Sequence, residues 1–234
     1  MSESPRPIIE AKALCRDYRL GSATIRALSD VSIAISRGEF VSVTGPSGSG
    51  KSTLLNLLGG LDAPTRGSIF LDGTELSGLD ERRLAGLRRK KLGFVFQRHD
   101  LLPALSVAEN LEFPLILAGV PEADRRSRIA ATLERVGLAD KSDNLPEELS
   151  GGQQQRVGIA RALVNDPEII LADEPTGNLD SRTSGDIMDF LATLCRESGK
   201  TLVVVTHDPE VAARADRILR FSDGVQLSGQ GAAS

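Results

Sequence analysis

The chain has 234 residues, with 28 Lys and Arg against 32 Asp and Glu, a formal charge of −4. That balance argues against a basic nucleic-acid platform, and 40% hydrophobic with 26% charged residues excludes wholesale disorder. Aromatics are 3%, with no Trp and a single Tyr, Tyr18, so the core has to be built from Leu, Ile, Val and Ala. Cys15 and Cys195 show neither metal-ligand nor redox spacing and read as reduced core thiols, with a single disulfide left open. No apolar run reaches the length of a membrane span, and the opening residues lack the apolar stretch of a secretion signal. The expectation is a cytosolic protein, with any membrane role coming through a partner.

In chain order, residues 8–14 and 25–35 alternate as half-buried strands do, most clearly at Val31, Ile33 and Ile35. Phe40–Thr44 is a compact apolar run of buried-strand type, followed by a Gly/Ser loop. Lys51–Leu58 is predicted to be helical, with Leu54, Leu55 and Leu58 on one face. Residues 67–72 and Leu92–Phe96 follow as strands. The texture then changes: prolines at 103, 114, 121 and 146 punctuate helical patterns such as 106–117 and 122–136, a helical insertion over 98–165. Strand-like runs return at 168–172 and 201–206 around a helical pattern at 181–197. Strands alternating with helices imply a parallel α/β sheet. The segment from Ser228 is small and polar, and 225–234 is expected to be a flexible tail.

Three motifs carry chemistry. Gly45-Pro46-Ser47-Gly48-Ser49-Gly50-Lys51-Ser52 fits the phosphate-loop pattern G-x-x-x-x-G-K-[ST], with Thr53 following. Its glycines let backbone N–H groups converge on an anion at a helix N-terminus. Lys51 supplies a point charge for the β- and γ-phosphates, and Ser52 a hydroxyl for Mg²⁺. The apolar run Ile169-Ile170-Leu171-Ala172 ends in Asp173 and Glu174. Asp173 suits a magnesium role and Glu174 the general base for an attacking water. Adjacent strand residues point to opposite sides, which separates the two roles, and Pro175 stops the strand. In Leu149-Ser150-Gly151-Gly152-Gln153, Ser150 and Gln153 fit a capping box. The box leaves the two glycines unexplained, since each costs up to ~1 kcal/mol against Ala in a helix. Bare backbone at a helix start reads as a second anion-facing element.

The order of these motifs resembles the ATP-binding cassette (ABC) ATPase family, over nearly the whole chain. The resemblance implies an α/β P-loop NTPase with three parts. These are a parallel-sheet core, an N-terminal antiparallel β subdomain (core and β subdomain over 1–97 and 166–224) and a helical signature subdomain at 98–165. It implies ATP and Mg²⁺ as cofactors. The Gly45–Ser52 loop would hold ATP while Leu149, Ser150, Gly151, Gly152 and Gln153 of a second copy close over its γ-phosphate, in a head-to-tail homodimer. Gln97 matches the residue that touches Mg²⁺ and couples to a membrane partner. Asp180, in Gly177-Asn178-Leu179-Asp180, falls at the dimer seam. His207 matches the histidine that contacts the γ-phosphate, and Tyr18 the aromatic that stacks on adenine. Without that context His207 reads as a loop histidine before an N-cap at Asp208 and an N1 proline at Pro209.

Leu57-Leu58-Gly59-Gly60-Leu61-Asp62-Ala63-Pro64-Thr65-Arg66-Gly67, Phe113-Pro114-Leu115 and Ala118-Gly119-Val120 resemble the lipoprotein-release and macrolide-export branch. Gln153 and Gly158 depart from that branch, where Glu and Ala are usual. The implied protein is an ATPase subunit of a membrane transporter, peripheral on the cytoplasmic face of the inner membrane. It would power export or extraction of a lipoprotein, peptide, lipid or drug through an integral membrane permease docked around 97–111. Two other readings stay open. One is a soluble cassette acting on DNA or ribosomes, which the single cassette and the lack of sustained heptads disfavour. The other is an ATP-dependent signalling clamp of a cell-division or cell-wall complex. The run Arg88-Arg89-Lys90-Lys91 reads as a solvated surface, not a nucleic-acid site.

Overall fold

The computed structural model describes residues 6–97 and 100–227. Two sheets are present. The first is antiparallel, order β2-β1-β4-β5, from β1 (Ile9–Leu20), β2 (Ala23–Ile35), β4 (Arg66–Leu71) and β5 (Thr74–Glu75). The second has order β10-β9-β3-β8-β7-β6. Its parallel strands are β3 (Phe40–Thr44), β6 (Leu92–Phe96), β7 (Ile169–Asp173), β8 (Thr201–Val205) and β9 (Arg217–Ser222). Strand β10 (Val225–Leu227) runs antiparallel at its edge. The expected flexible tail therefore begins with three residues of paired strand, and the rest of it lies outside the described residues. The parallel core, the antiparallel β layer and the helical segment agree with the α/β architecture that the sequence resemblance implied.

The parallel strands are apolar throughout because both faces are covered. Successive side chains point to opposite faces, and the core divides along that alternation. Ile169, Leu171, Val203 and Val205 join one cluster with α1 (Lys51–Leu58) and the antiparallel sheet. Ile170, Ala172, Leu202 and Val204 join the other with the helical segment. That segment comprises α3 (Val107–Leu117), α4 (Glu122–Arg135) and α5 (Gly151–Leu163). It has no separate core. Leu111, Leu115 and Leu133 share one cluster with Val95 and Ile170 of the sheet, each worth about 1.5–3 kcal/mol of burial.

Helix α6 (Ser181–Glu197) starts at Asp180, whose carboxylate accepts from the Thr183 N–H, and buries Ser184, Ile187, Met188, Leu191 and Cys195 at helical spacing. Cys15 and Cys195 are both buried and free, and burial pushes the Cys195 thiol up to about 12. Among the described residues no helix is long and apolar enough to cross a membrane.

Helix α2 (Glu81–Lys91) was not anticipated, and it changes the reading of the basic run. Arg88 donates to the Gly60 carbonyl at the end of α1, and Arg89 to the Leu117 carbonyl at the end of α3. Lys91 joins Arg37, Asp72 and Glu168 in an ion network linking four segments. Three of the four charges therefore tie elements together; they are not simply a solvated face.

Candidate functional site

The phosphate loop leaves β3 and turns into α1. Gly45 has φ +154, and a Cβ there would lie 2.2 Å from the Phe221 carbonyl oxygen. Gly50, the α1 N-cap, has φ 97, and its Cβ would lie 2.5 Å from the Ala27 carbonyl. Only glycine fits either place, since side chains rarely adopt these backbone angles. The Lys51 ammonium donates to the Gly45 and Pro46 carbonyls at 2.8 and 2.9 Å, crossing the loop from within. Ser49 is buried, with a hydroxyl that has no hydrogen-bond partner among the described residues.

A cavity of about 640 Å³ opens over this loop, lined by Ser47, Gly48, Gly50, Lys51, Ser52 and Thr53. Glu174 and His207 close its far side, and Ile25, Arg26 and Ala27 of β2 form a wall that nothing in the sequence flagged. Alternation in β2 announces a strand but not which of its residues faces a ligand.

Ser52 lies beside Asp173: its hydroxyl donates to Oδ1 at 3.1 Å. Burial is the main force raising the Asp173 carboxyl above its ordinary range; the neighbouring Glu174 charge adds to it, while the Ser52 bond and Lys51 oppose it. A hydroxyl beside a carboxylate whose charge is costly to bury suits a divalent cation, whose hard-oxygen preference both groups meet. Among the described residues no three His, Cys, Asp or Glu cluster as a metal site. Mg²⁺ would therefore complete its shell with phosphate and water, as it usually does.

Strand β7 ends at Asp173, one residue earlier than the apolar run suggested. Glu174 is not on the strand: it takes φ 47, a left-handed angle that is rare for such a side chain, and its N–H donates to the Val205 carbonyl at 2.9 Å. The turn at Glu174, not strand alternation, is what separates the two carboxylates. Backbone strain of this kind, of order 1–3 kcal/mol, gathers at active sites. Glu174 Oε1 lies 2.8 Å from His207 Nδ1. A carboxylate only accepts, so Nδ1 carries the proton and Nε2 is left for another partner. The N-cap beyond His207 forms as expected: Asp208 accepts from the Glu210 N–H at 2.8 Å, and Pro209 opens α7 (Pro209–Ala212).

The remaining candidates lie outside this cavity. Gln97 follows β6, and its side-chain amide donates to Asn178 at 3.4 Å, not to Ser52 or Asp173. Tyr18 pairs with Ile25 across the β1–β2 ribbon, so both leave the same face. Its hydroxyl donates to Asp62 at 2.7 Å, and the Arg16 guanidinium lies over its ring at 4.5 Å. Leu149 is buried just before α5. Ser150 caps α5 reciprocally with Gln153: the Gln153 N–H donates to Ser150 Oγ at 3.3 Å, and the Ser150 N–H to Gln153 Oε1 at 2.9 Å. The two glycines after Ser150 also have an intramolecular reason. A Cβ on Gly151 would meet Leu179 at 3.3 Å, and one on Gly152 would meet Thr183 at 3.0 Å. None of Leu149–Gln153 lines the cavity of its own chain.

The family model described as ABC transporter matches residues 28–177. An uncharacterized ABC transporter ATP-binding protein of Thermotoga maritima is 51% identical over 94% of this chain and 93% of its own length. The macrolide export ATP-binding/permease protein MacB of Hyphomonas neptunium is 50% identical over 96% of this chain. The match spans only 35% of that longer protein. Among solved structures, the dimeric post-hydrolysis state of the ATP-binding cassette MJ0796 bound to ADP and Pi superposes with TM-score 0.88. It is 45% identical, over 97% of this chain and 99% of that one. The chain thus belongs to the ABC transporter family, among the ATP-binding cassettes that are its ATPase domains.

Proposed function

We propose that this chain binds Mg²⁺-ATP in the cavity over Gly45–Ser52, hydrolyses it within a head-to-tail dimer, and drives a membrane permease of the macrolide-export type. The observation that carries the reading is convergence: the phosphate loop, the Ser52–Asp173 pair and the Glu174–His207 pair meet around one cavity. Phosphoryl transfer needs positioned cations and donors more than covalent chemistry. Lys51 and the loop N–H groups bind the phosphates, while Ser52, Asp173 and Gln97 would hold Mg²⁺, which supplies charge to the phosphate oxygens. Glu174 takes the proton of the attacking water. His207, held through Nδ1, points Nε2 to the γ-phosphate, whose oxygens only accept, so the ring makes that contact as a doubly protonated imidazolium. Tyr18, beside Ile25 at the cavity edge, is assigned to the adenine. Ser150, Gly151 and Gly152 of a second copy supply the missing wall, with Asp180 at the seam.

The permease reading rests on an exposed apolar groove of about 400 Å³ between core and helical segment, lined by Leu61, Phe94, Phe113, Pro114 and Leu117, with Arg88 and Arg89 along it. Phe113 is 48% exposed and Leu117 50%. Surfaces of this kind mark interaction sites. The groove centres on 113–117, a little beyond the expected 97–111. The MacB relatives are named as joined ATP-binding and permease proteins, which supports a permease of that kind working with this cassette at the cytoplasmic membrane face. Lipoprotein remains an alternative cargo of the same branch. Two experiments test the reading. Phosphate release from Mg²⁺-ATP should be present in the wild type and absent in Lys51→Ala. Co-purification with the membrane permease should be lost in Phe113→Glu. A Lys51→Ala chain as active as the wild type would overturn the site assignment.

A further inference from the structure

The loop after Glu174 grips the residue assigned to the metal. Asn178 Nδ2 donates to the Gln97 backbone carbonyl at 3.0 Å, and Gln97 Nε2 donates back to Asn178 Oδ1 at 3.4 Å. The first bond is short and fixes backbone; the second is long and holds only the end of a flexible side chain. Gly177 makes room for the pair, since a Cβ there would lie 2.7 Å from Gln97 Nε2. The loop itself springs from the catalytic turn, where the Gly177 N–H donates to the Glu174 carbonyl at 3.0 Å. On the other side, buried Gln155 of α5 reaches the Phe96 carbonyl at 3.5 Å. Register places Phe96 beside Asp173 across β6–β7, so Gln97 leaves its strand next to the Asp173–Glu174 turn.

We propose that Asn178 is a positioning residue for Gln97. Its donor bond fixes the carbonyl from which the Gln97 side chain is delivered to the metal side of the site, and its acceptor oxygen holds the amide until then. The proposal rests on the reading of Gln97 as a metal contact. Because the anchoring bond is the shorter, loss of Asn178 costs pre-organisation more than it frees the amide.

The test uses the full chain in a Glu174→Gln background, where binding is read without hydrolysis. A fluorescent ATP analogue is titrated with Mg²⁺ and again with EDTA, and the ratio of the two affinities is the metal gain. Asn178→Ala should lower that gain about three- to ten-fold, the span expected for one neutral hydrogen bond, with the EDTA affinity within two-fold of the parent. Gly177→Ala, which crowds Gln97 from the other side, should lower it in the same direction. Both positions are exposed, so the melting temperature should hold. In Gln97→Ala, the further change Asn178→Ala should remove nothing more. A gain unchanged in Asn178→Ala, or losses at the two positions that multiply as a general loop defect would, overturns the proposal alone. A gain unchanged in Gln97→Ala overturns the metal reading of Gln97, and the proposal with it.

Discussion

Replacing Glu174 by Gln is the perturbation that separates binding from chemistry. The amide is nearly isosteric, can keep the left-handed backbone, and its carbonyl oxygen can still accept from His207 Nδ1 across 2.8 Å. What it loses is the ability to accept a proton from water. A positioned general base contributes about 10²–10⁴-fold, or about 3–5 kcal/mol of barrier at 1.36 kcal/mol per decade. Binding should not suffer. Lys51, Ser52 and Asp173 stay in place, and the lost carboxylate charge trades some attraction for Mg²⁺ against less repulsion of the phosphates. The assay is single-turnover phosphate release by the purified chain, paired with size-exclusion chromatography in Mg²⁺-ATP. The expected result is ATP affinity within a few-fold of the wild type, release slowed by at least a hundredfold, and accumulation of an ATP-dependent dimer. If the wild-type chain needs its permease to turn over, the same comparison is made in membranes containing it. A Gln variant that releases phosphate within ten-fold of the wild type would refute the assignment of Glu174 as base.

Other perturbations test the surroundings. Burial holds the Asp173 carboxyl above its usual range, so protons should compete with Mg²⁺ at a higher pH than for an exposed Asp. The Mg²⁺-dependent part of nucleotide affinity, titrated downward from neutral pH, should fall before ordinary aspartates protonate, and Asp173→Asn should abolish that pH dependence. Gly45→Ala should cost about 3 kcal/mol of stability, read as a lower melting midpoint together with loss of ATP binding, because its Cβ meets the Phe221 carbonyl. Lys91→Met removes the main partner that holds the Asp72 and Glu168 carboxyls below their usual range. Depressed carboxyl values add stability above the unfolded-state range and lose it as pH falls through the folded one. The variant should therefore be about 1 kcal/mol less stable at pH 7, with the gap in denaturant midpoints closing below about pH 4.

What was legible in the sequence is what chemistry ties to residue type. Gly45 and Gly50 have no substitute where carbonyls approach so closely, and Lys, Ser and Asp, as at Lys51, Ser52 and Asp173, are among the few side-chain types suited to phosphate and magnesium. Such constraints leave fixed letters at fixed spacings. The strands Phe40–Thr44 and Leu92–Phe96 were equally plain, since two covered faces demand unbroken apolar runs. Features set by long-range contact were not. Arg26 lines the cavity only because β2 folds across the phosphate loop. Arg88, Arg89 and Lys91 resemble solvated charges until the ends of α1 and α3 and the start of β7 come to meet them. The turn at Glu174 left only the strand-stopping Pro175 as a signal, because no glycine stands there to mark the left-handed angle.

The two glycines of the signature show how one feature can carry two loads. At the sequence level they look like bare backbone for an anion. In the fold they also let the start of α5 press against Leu179 and Thr183, at distances where a Cβ would force the neighbour to give. Leu179 sits between Asn178, which grips Gln97, and Asp180, which caps α6. The segment proposed to close on a second copy's ATP thus lies directly beside the loop that begins at its own Glu174. In the proposed dimer, Ser150–Gly152 would therefore lie between a partner's nucleotide and the same chain's 178–180 segment, which reaches Gln97 through Asn178.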